Sequence, residues 1–590
     1  MEGADRLGRW APGLTLLRAR RIGALRADVV AGVVLAALLV PQGMAYAALA
    51  GLPPVTGLYA TAVPLVVYFL LGPSRILVLG PDSAVSPLVA AAIVPLAAAG
   101  DESARIALAG LLAILVGSIM LAGGLARFGF LTELLSMPVR LGYLMGIAVT
   151  VIVAQLPKLF GFSVDAENLI PATRDFFAGL DQTDTTALAI GVGSLALILA
   201  LRRVAPRVPG VFLAVVAATV VVAVLDLADE LPVVGSVPAG LPAFSVPSVS
   251  FEDFKTLLPA AVGIAFVAFT DTSVLSRSYA ARLRQQVDQN QELAVLGVAN
   301  IATGLFQGFP LSTSSSRTAV AEDVGARSQF AGLTGAVVLM LLLIFGTGLV
   351  HDLPLSSLAA VVIVAVLGLI DIPAARRLRR WRRSEFLLSM LAFAGVAVLG
   401  VLWGVGIAIA LSLLNFIRRA WRPHDAVLGR VENLKGYHDT ERYPDARLIP
   451  GLVLYRFDAP LFFANADYFR EQVRALAQTG EARWIVVAAE PITDIDTTAG
   501  ETLRALNDEL EAEGVELAFA ELKDPVRDRL RRYGTYDAIG ERRFFPTIGV
   551  AVASYLRATG VEWLDWEDRR PARDASVATP PARRDTRGST

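Results

Sequence analysis

No charged residue occurs between Val29 and Ser74. A helix crosses a hydrocarbon layer of about 30 Å with roughly 20 residues, so this one stretch supplies two crossings. Gly51-Leu52-Pro53-Pro54 divides it. Lipid offers no partner to a backbone N–H or C=O, and each must therefore be bonded within the protein. A chain that repeats such runs is confined to a bundle of spanning helices.

The runs do repeat. Apolar segments fall at 28–50, 55–71, 84–99, 104–124, 138–156, 184–201, 209–226, 256–279, 289–306, 314–324, 328–350, 355–370, 384–402 and 404–418. Hydrophobic residues make up 55% of the 590 and charged ones 18%, too apolar a balance for a water-soluble chain of this length. Arginines gather in alternate connections: Arg202, Arg203 and Arg207; Arg282 and Arg284; and six between Arg376 and Arg383. Further arginines stand before the first segment (Arg18, Arg20, Arg21, Arg26) and after the last (Arg418, Arg419, Arg422). The opposite connections carry Asp101, Glu102, Asp226, Asp229, Glu230 and Asp352. With fourteen crossings this bias predicts cytoplasmic termini and a multi-pass protein of the cell membrane. Residues 1–27, with Glu2 and Asp5 ahead of the basic cluster, read as a cytoplasmic lead-in and not as a cleaved signal.

Several functions are excluded at this level. A formal net charge of −1 leaves no electrostatic case for nucleic acid. There is no cysteine, so disulfides and thiolate chemistry are absent. His351, His424 and His438 are scattered, which predicts no metal site, and no catalytic constellation points to an enzyme.

Two segments break the pattern. Gly80-Pro81-Asp82-Ser83-Ala84-Val85-Ser86-Pro87 and Gly308-Phe309-Pro310-Leu311-Ser312-Thr313-Ser314-Ser315-Ser316-Arg317 put Gly, Pro and Ser where a spanning helix would be continuous. Irregular backbone survives at membrane depth only where it lines a cavity, and a matched pair of interrupted segments points to a transporter's binding site. The short segment is third of seven in each half. Seven is odd, so the second half enters from the opposite face, as an inverted repeat. A half-helix that starts inside the membrane presents unbonded N–H groups and a partial positive charge, both suited to an anion. At the first break Ser83 or Asp82 is expected to cap, leaving the Ala84 and Val85 amides toward the cavity. At the second, Ser314, Ser315 and Ser316 supply hydroxyls and amides, and Arg317 a fixed positive charge. The bland alternative pairs Arg317 with a carbonyl or with Glu322.

Asp271 is the second charge at depth. It reads either as a proton acceptor, as a sodium ligand with Thr272 and Ser273, or as a structural carboxylate bonded to hydroxyls or to Arg317. In the first segment Pro41 frees a carbonyl, while Gln42 and Tyr46, four apart, share a helix face that either meets a ligand or packs.

Beyond Pro423 strands and helices alternate, which predicts a small α/β domain over 433–557. Leu452–Phe457 reads as a strand and Pro460–Phe463 as a second. Asp496, Thr497 and Thr498 join a strand to a helix, with Thr497 or Thr498 as a plain cap or as a regulatory, phosphorylatable position. The tail 569–590 is rich in Pro, Arg, Asp, Ser and Thr and reads as disordered.

Pro41-Gln42-Gly43-Met44-Ala45-Tyr46-Ala47, followed by Gly51-Leu52-Pro53-Pro54-Val55-Thr56-Gly57-Leu58-Tyr59, resembles the signature of the SulP sulfate-permease family. Ser316-Arg317-Thr318 resembles that family's tenth-segment element, and Asp496-Thr497-Thr498-Ala499-Gly500 the loop of a STAS domain. The resemblance implies a fourteen-helix inverted repeat. Segments one to four and eight to eleven form a core domain, and the rest form a gate domain. It also implies a homodimer, an inorganic or organic anion between segments three and ten, and Gln42, Tyr46, Ala84, Ser315, Ser316 and Arg317 as site-lining positions. Sodium-dependent bicarbonate members place a threonine where Leu275 stands, which turns the expectation for Asp271 from sodium to a proton. The expected function is proton-coupled symport of sulfate or a similar oxyanion, with no cofactor and with room for a cytoplasmic partner at the C-terminal domain. Carriage of dicarboxylate or bicarbonate, an uncoupled anion channel, and a membrane-tethered signalling module are the alternatives.

Overall fold

A computed structural model describes residues 22–98, 101–130, 136–164, 169–205 and 208–566. The expected lead-in up to residue 21 and the expected tail 569–590 lie outside the described residues. The chain divides into two compact units between Leu413 and Leu414.

In the first unit each of the fourteen apolar segments is a helix. They are α1 (Ile22–Leu49), α2 (Pro54–Leu71), α3 (Ser86–Ile93), α4 (Glu102–Leu125), α5 (Met137–Leu159), then α7 (Thr185–Val204) and α8 (Gly210–Val224). The second half supplies α9 (Phe251–Arg282), α10 (Gln289–Leu305), α11 (Ser315–Asp323), α12 (Phe330–Phe345), α13 (Leu355–Leu367), α15 (Arg383–Leu399) and α16 (Val401–Trp421). Eight described stretches, one of them α13 taken together with α14, are long and apolar enough to cross a membrane. Two helices were not anticipated, α6 (Leu169–Ala178) and α14 (Ile372–Trp381). Both are ten residues long and amphipathic, and each is the sixth helix of its half. Reading apolar runs misses them because neither is apolar all round.

The packing repeats when the halves are exchanged. α4 packs on α10 and α12 on α2; α5 packs on α15 and α13 on α7; α1 packs on α12 and α9 on α4. Chance likeness between two Ser/Pro-rich loops does not produce three such swaps. The α4–α10 contact is set by glycines. A Cβ on Gly117 would lie 2.5 Å from the Gly297 carbonyl oxygen, and one on Gly297 would lie 2.6 Å from that of Gly117. The backbones therefore touch, as small residues permit between membrane helices. Gly297→Leu is expected to lower the thermal unfolding temperature in detergent, at the upper end of the roughly 1–3 kcal/mol typical of overpacking. Gly193→Ala on α7, where nothing lies within 4 Å, should leave it unchanged.

The second unit holds a six-stranded sheet of β3 (Asp425–Arg430), β4 (Tyr437–Asp439), β5 (Leu452–Phe457), β6 (Trp484–Ala488), β7 (Glu516–Ala520) and β8 (Phe544–Phe545). Their order across the sheet is β4-β3-β5-β6-β7-β8. The β5 to β8 ladder is parallel, and β3 runs antiparallel to both its neighbours. Helices α17 (Ala466–Ala477), α18 (Thr497–Ala512), α19 (Asp524–Arg532) and α20 (Thr535–Ile539) cover one face through Phe469, Leu503, Leu506 and Leu530. Helix α21 (Ile548–Thr559) covers the other through Ala551, Val552 and Tyr555. The sheet opens at Asp425, ahead of the expected start at 433. The segment Pro460–Phe463 is a turn and not a strand. Pro460 has no N–H to give a ladder. Asn465 folds the segment back by accepting from Phe462 N–H at 2.9 Å and donating to Pro460 C=O at 2.9 Å. Only an isolated bridge, Leu461 to Ile495, remains of the expected pairing.

Candidate functional site: two half-helices and a buried arginine

Both interrupted segments fold as short strands that pair with each other. In β1 (Leu79–Gly80) and β2 (Ser312–Thr313), Leu79 lies opposite Thr313 and Gly80 opposite Ser312, antiparallel. Ser314 N–H donates to Val78 C=O at 3.1 Å, and Val78 N–H to Thr318 Oγ1 at 3.1 Å. Asn300 on α10 holds the second break from behind, accepting from Leu311 N–H at 3.0 Å and donating to Leu296 C=O at 2.9 Å. Thus α3 and α11 both start from one two-stranded patch.

The two starts differ in their caps. At the second, Ser314 is the N-cap, and its hydroxyl accepts weakly from Arg317 N–H at 3.5 Å. The Ser315 and Ser316 amides fall in the first turn, where a helix has no acceptor of its own. Both residues are exposed, while Ser314 is buried. At the first, the expected supply of amides is reduced. Asp82 Oδ2 accepts from Ala84 N–H at 3.0 Å, and the helix begins at Ser86, after Val85 as N-cap. Ser83, Ala84 and Val85 are buried in the turn between.

Arg317 has no exposed surface. Its Nη2 donates to Pro81 C=O at 2.5 Å, across the gap between the breaks. Nε and Nη1 are buried without a partner. Of the bland alternatives, the carbonyl partner is present, at Pro81, while the one with Glu322 fails, because that carboxylate pairs with Arg282 at 3.1 Å. Gly80 makes room for the guanidinium: its φ is +149°, and a Cβ there would lie 2.8 Å from Nη1. A desolvated guanidinium with unused donors is costly, and its Nε and Nη1 are free to bond an acceptor that enters the site.

From α1, Tyr46 faces Ser83, Asp82 and Arg317. Gln42 is buried one turn earlier, and its Oε1 has no partner. Helix α1 runs on through Pro41 without a break.

Asp271 is not isolated. It lies on α9, and Arg140 on α5 donates to it at 2.7 Å. The alternative pairing with Arg317 is therefore wrong, and the ion pair instead joins α9 to α5. The neighbouring hydroxyls are engaged elsewhere: Thr272 with Thr313 at 3.3 Å, and Ser273 with Gln289 Oε1 at 2.5 Å. Arg140 escaped notice on sequence although an arginine inside the apolar stretch 138–156 was visible there. So did Glu292, a fully buried carboxylate on α10. It accepts from Tyr68 at 2.5 Å, Ser74 at 2.9 Å and Ser276 at 3.1 Å. Among the described residues no group of three or more His, Asp or Glu side chains is placed to hold a metal.

In the C-terminal unit the cap of α18 is Asp496, not a threonine. Asp496 Oδ1 accepts from Ala499 N–H and Oδ2 from Phe463 N–H, both at 2.8 Å. Thr497 and Thr498 are left exposed. A cleft of about 520 Å³ opens beside this turn, with Arg529 paired to Asp494 on its wall.

Helical repeats packed by exchange, with interrupted segments meeting at a buried cation and a small α/β unit following them in the chain, define a polytopic membrane protein of the inverted-repeat transporter build. The sulfate permease family pattern matches residues 25–392, and the STAS domain pattern matches 443–551. A Mycobacterium tuberculosis protein named as a probable sulfate transporter is 44% identical over 551 residues, covering 93% of this chain and 98% of that one. Arabidopsis thaliana "Sulfate transporter 4.1, chloroplastic" is 32% identical, over 91% of this chain and 81% of its own. Murine Solute Carrier 26 family member A9 shares the fold at a TM-score of 0.86 and 24% identity, over 93% of this chain and 94% of that one. The transmembrane domain of a cyanobacterial bicarbonate transporter shares it at 0.58 and 20%, over 67% of this chain and 98% of that one. The chain belongs to the sulfate permease family and carries a C-terminal STAS domain.

Proposed function

We propose that the protein is a secondary active anion transporter that carries sulfate or a similar oxyanion together with a proton. The observation that carries this reading is Arg317, wholly buried beside the starts of two half-helices with Nε and Nη1 unpartnered. The anion binds there, against the Ser315 and Ser316 amides and hydroxyls, with Ser83, Ala84, Val85, Ser314, Gln42 and Tyr46 closing the site. Relatives named sulfate transporters support the choice of oxyanion.

Asp271 carries the coupling proton. Ionised, it holds Arg140 and ties core to gate; protonated, it releases that tie, and the core slides with its anion. Sodium fits less well, because Leu275 offers no oxygen and the Thr272 and Ser273 hydroxyls already have partners. Both termini are cytoplasmic, the protein is a homodimer in the cell membrane, and the cleft beside Asp496, Thr497 and Thr498 is where a cytoplasmic partner regulates it.

Sulfate uptake into proteoliposomes, with and without an inward proton gradient, tests the reading. Uptake should rise several-fold with the gradient. Asp271→Asn should lower that response while sulfate–sulfate exchange persists. Uptake indifferent to pH in the unmodified protein would remove the proton, and salt-driven current alone would make it a channel. Competition by unlabelled bicarbonate or dicarboxylates settles the anion.

A further inference from the structure

The first break carries a negative charge, Asp82, beside the buried cation. Asp82 Oδ2 already occupies the Ala84 N–H, one of the amides an anion would use. The residue before it, Pro81, receives Arg317 Nη2. A carboxylate and the buried cation thus meet within two consecutive residues. Asp82 is partly accessible, whereas Arg317 is sealed.

We propose that Asp82 sets the charge class of the anion the site accepts: ionised, it admits a monovalent anion, and protonated, a divalent oxyanion. This rests on reading the paired breaks as the anion site. The groups facing Asp82 are Tyr46 from α1, Ser312 from β2, Arg317 from α11, Tyr143 from α5 and Asp271 from α9. Asp271 is offset by Arg140, and the tyrosines are neutral when protonated. With both carboxylates ionised the site sums to zero before any ligand enters. A monovalent anion then faces one guanidinium and one carboxylate. A dianion adds two charges beside that carboxylate in a desolvated space, and like charges sharing such a site do not both stay ionised. Protonation removes the repulsion, loosens the hold on Ala84 N–H, and turns one oxygen into a donor toward the ligand. Proton and dianion therefore strengthen each other's binding by the same factor.

The competing account makes Asp82 a turn former only. Asparagine caps as well as aspartate, so Asp82→Asn keeps the turn and removes only the charge. Equilibrium binding of radiolabelled sulfate and of nitrate is measured on the full-length protein in nanodiscs between pH 5.5 and 8, with melting curves for each variant. Sulfate affinity of the unmodified protein should weaken with rising pH, by up to about tenfold per unit for one linked proton, while nitrate changes less. In Asp82→Asn the sulfate slope should vanish, and binding at pH 8 should be at least about tenfold tighter than in the parent. Asp271→Asn should keep the parental slope in binding, and with it the part of the pH response in uptake that comes from Asp82. Asp82→Ser serves if the asparagine variant does not fold. A parental slope in a folded Asp82 variant, or a slope lost in Asp271→Asn, overturns the assignment. If the unmodified protein binds neither anion, the site reading itself fails.

Discussion

Arg317→Ala should abolish anion uptake and leave the protein folded. The two effects separate because of how the side chain is held. Its one hydrogen bond goes to a backbone carbonyl, Pro81, and two of its nitrogens have no acceptor. A buried charge with so few partners adds little to stability, since desolvation offsets what it gains. The melting temperature should therefore stay level or rise. For the bound anion the balance is the reverse. Removing one partner of a desolvated, hydrogen-bonded charge pair costs about 2–5 kcal/mol, or roughly 30- to several-thousand-fold in affinity. Arg317→Lys should recover part of this, because it keeps the charge and loses the planar fork. Sulfate binding and uptake by purified variant protein check the result; uptake at the parental rate would take Arg317 out of the site.

Glu292→Ala should do the opposite, destroying stability before transport can be assayed. Tyr68, Ser74 and Ser276 all direct hydroxyls at this carboxylate, and all four residues are buried. They come from α2, the chain after it, α9 and α10, so one acceptor ties the second helix of one repeat to the first two helices of the other. Each buried donor left without an acceptor costs about 1–3 kcal/mol. Ser74 and Ser276 can turn to each other across 3.2 Å, and Ser74 also lies within reach of the Tyr68 hydroxyl, so part of the cost is recovered. A loss of about 2–4 kcal/mol follows, large against the stability of a typical domain. Thermal unfolding in detergent reads it directly. Glu292→Gln, which keeps an acceptor oxygen, should lose less. A melting curve unchanged in the alanine variant would mean that the cluster is not a staple.

These two residues also mark how far reading the chain could go. Arg317 was visible because it follows a Gly/Pro/Ser break that no continuous helix tolerates. Glu292 was not, because it sits in the first turn of a long apolar segment, where an acidic residue looks like a solvated helix start. Its partners lie at positions 68, 74 and 276, distant along the chain. Asp271 shows the same limit from another side. Its isolation in sequence was real, and its partner Arg140 is 131 positions away on a helix of the other half-bundle. The strand expected at Pro460–Phe463 failed locally, since an asparagine two residues later competes for the backbone.

Periodicity and composition were enough for the fourteen apolar helices, though not for the amphipathic α6 and α14, and for their pairing into two halves and the place of the interruptions, because lipid forbids unbonded backbone and so leaves few ways to arrange an apolar chain. Which charges face which was beyond that reach. A carboxylate's role depends on the counter-ion brought to it by packing, and in a low-dielectric interior a contact of about 3 Å outweighs any preference written into the neighbouring residues.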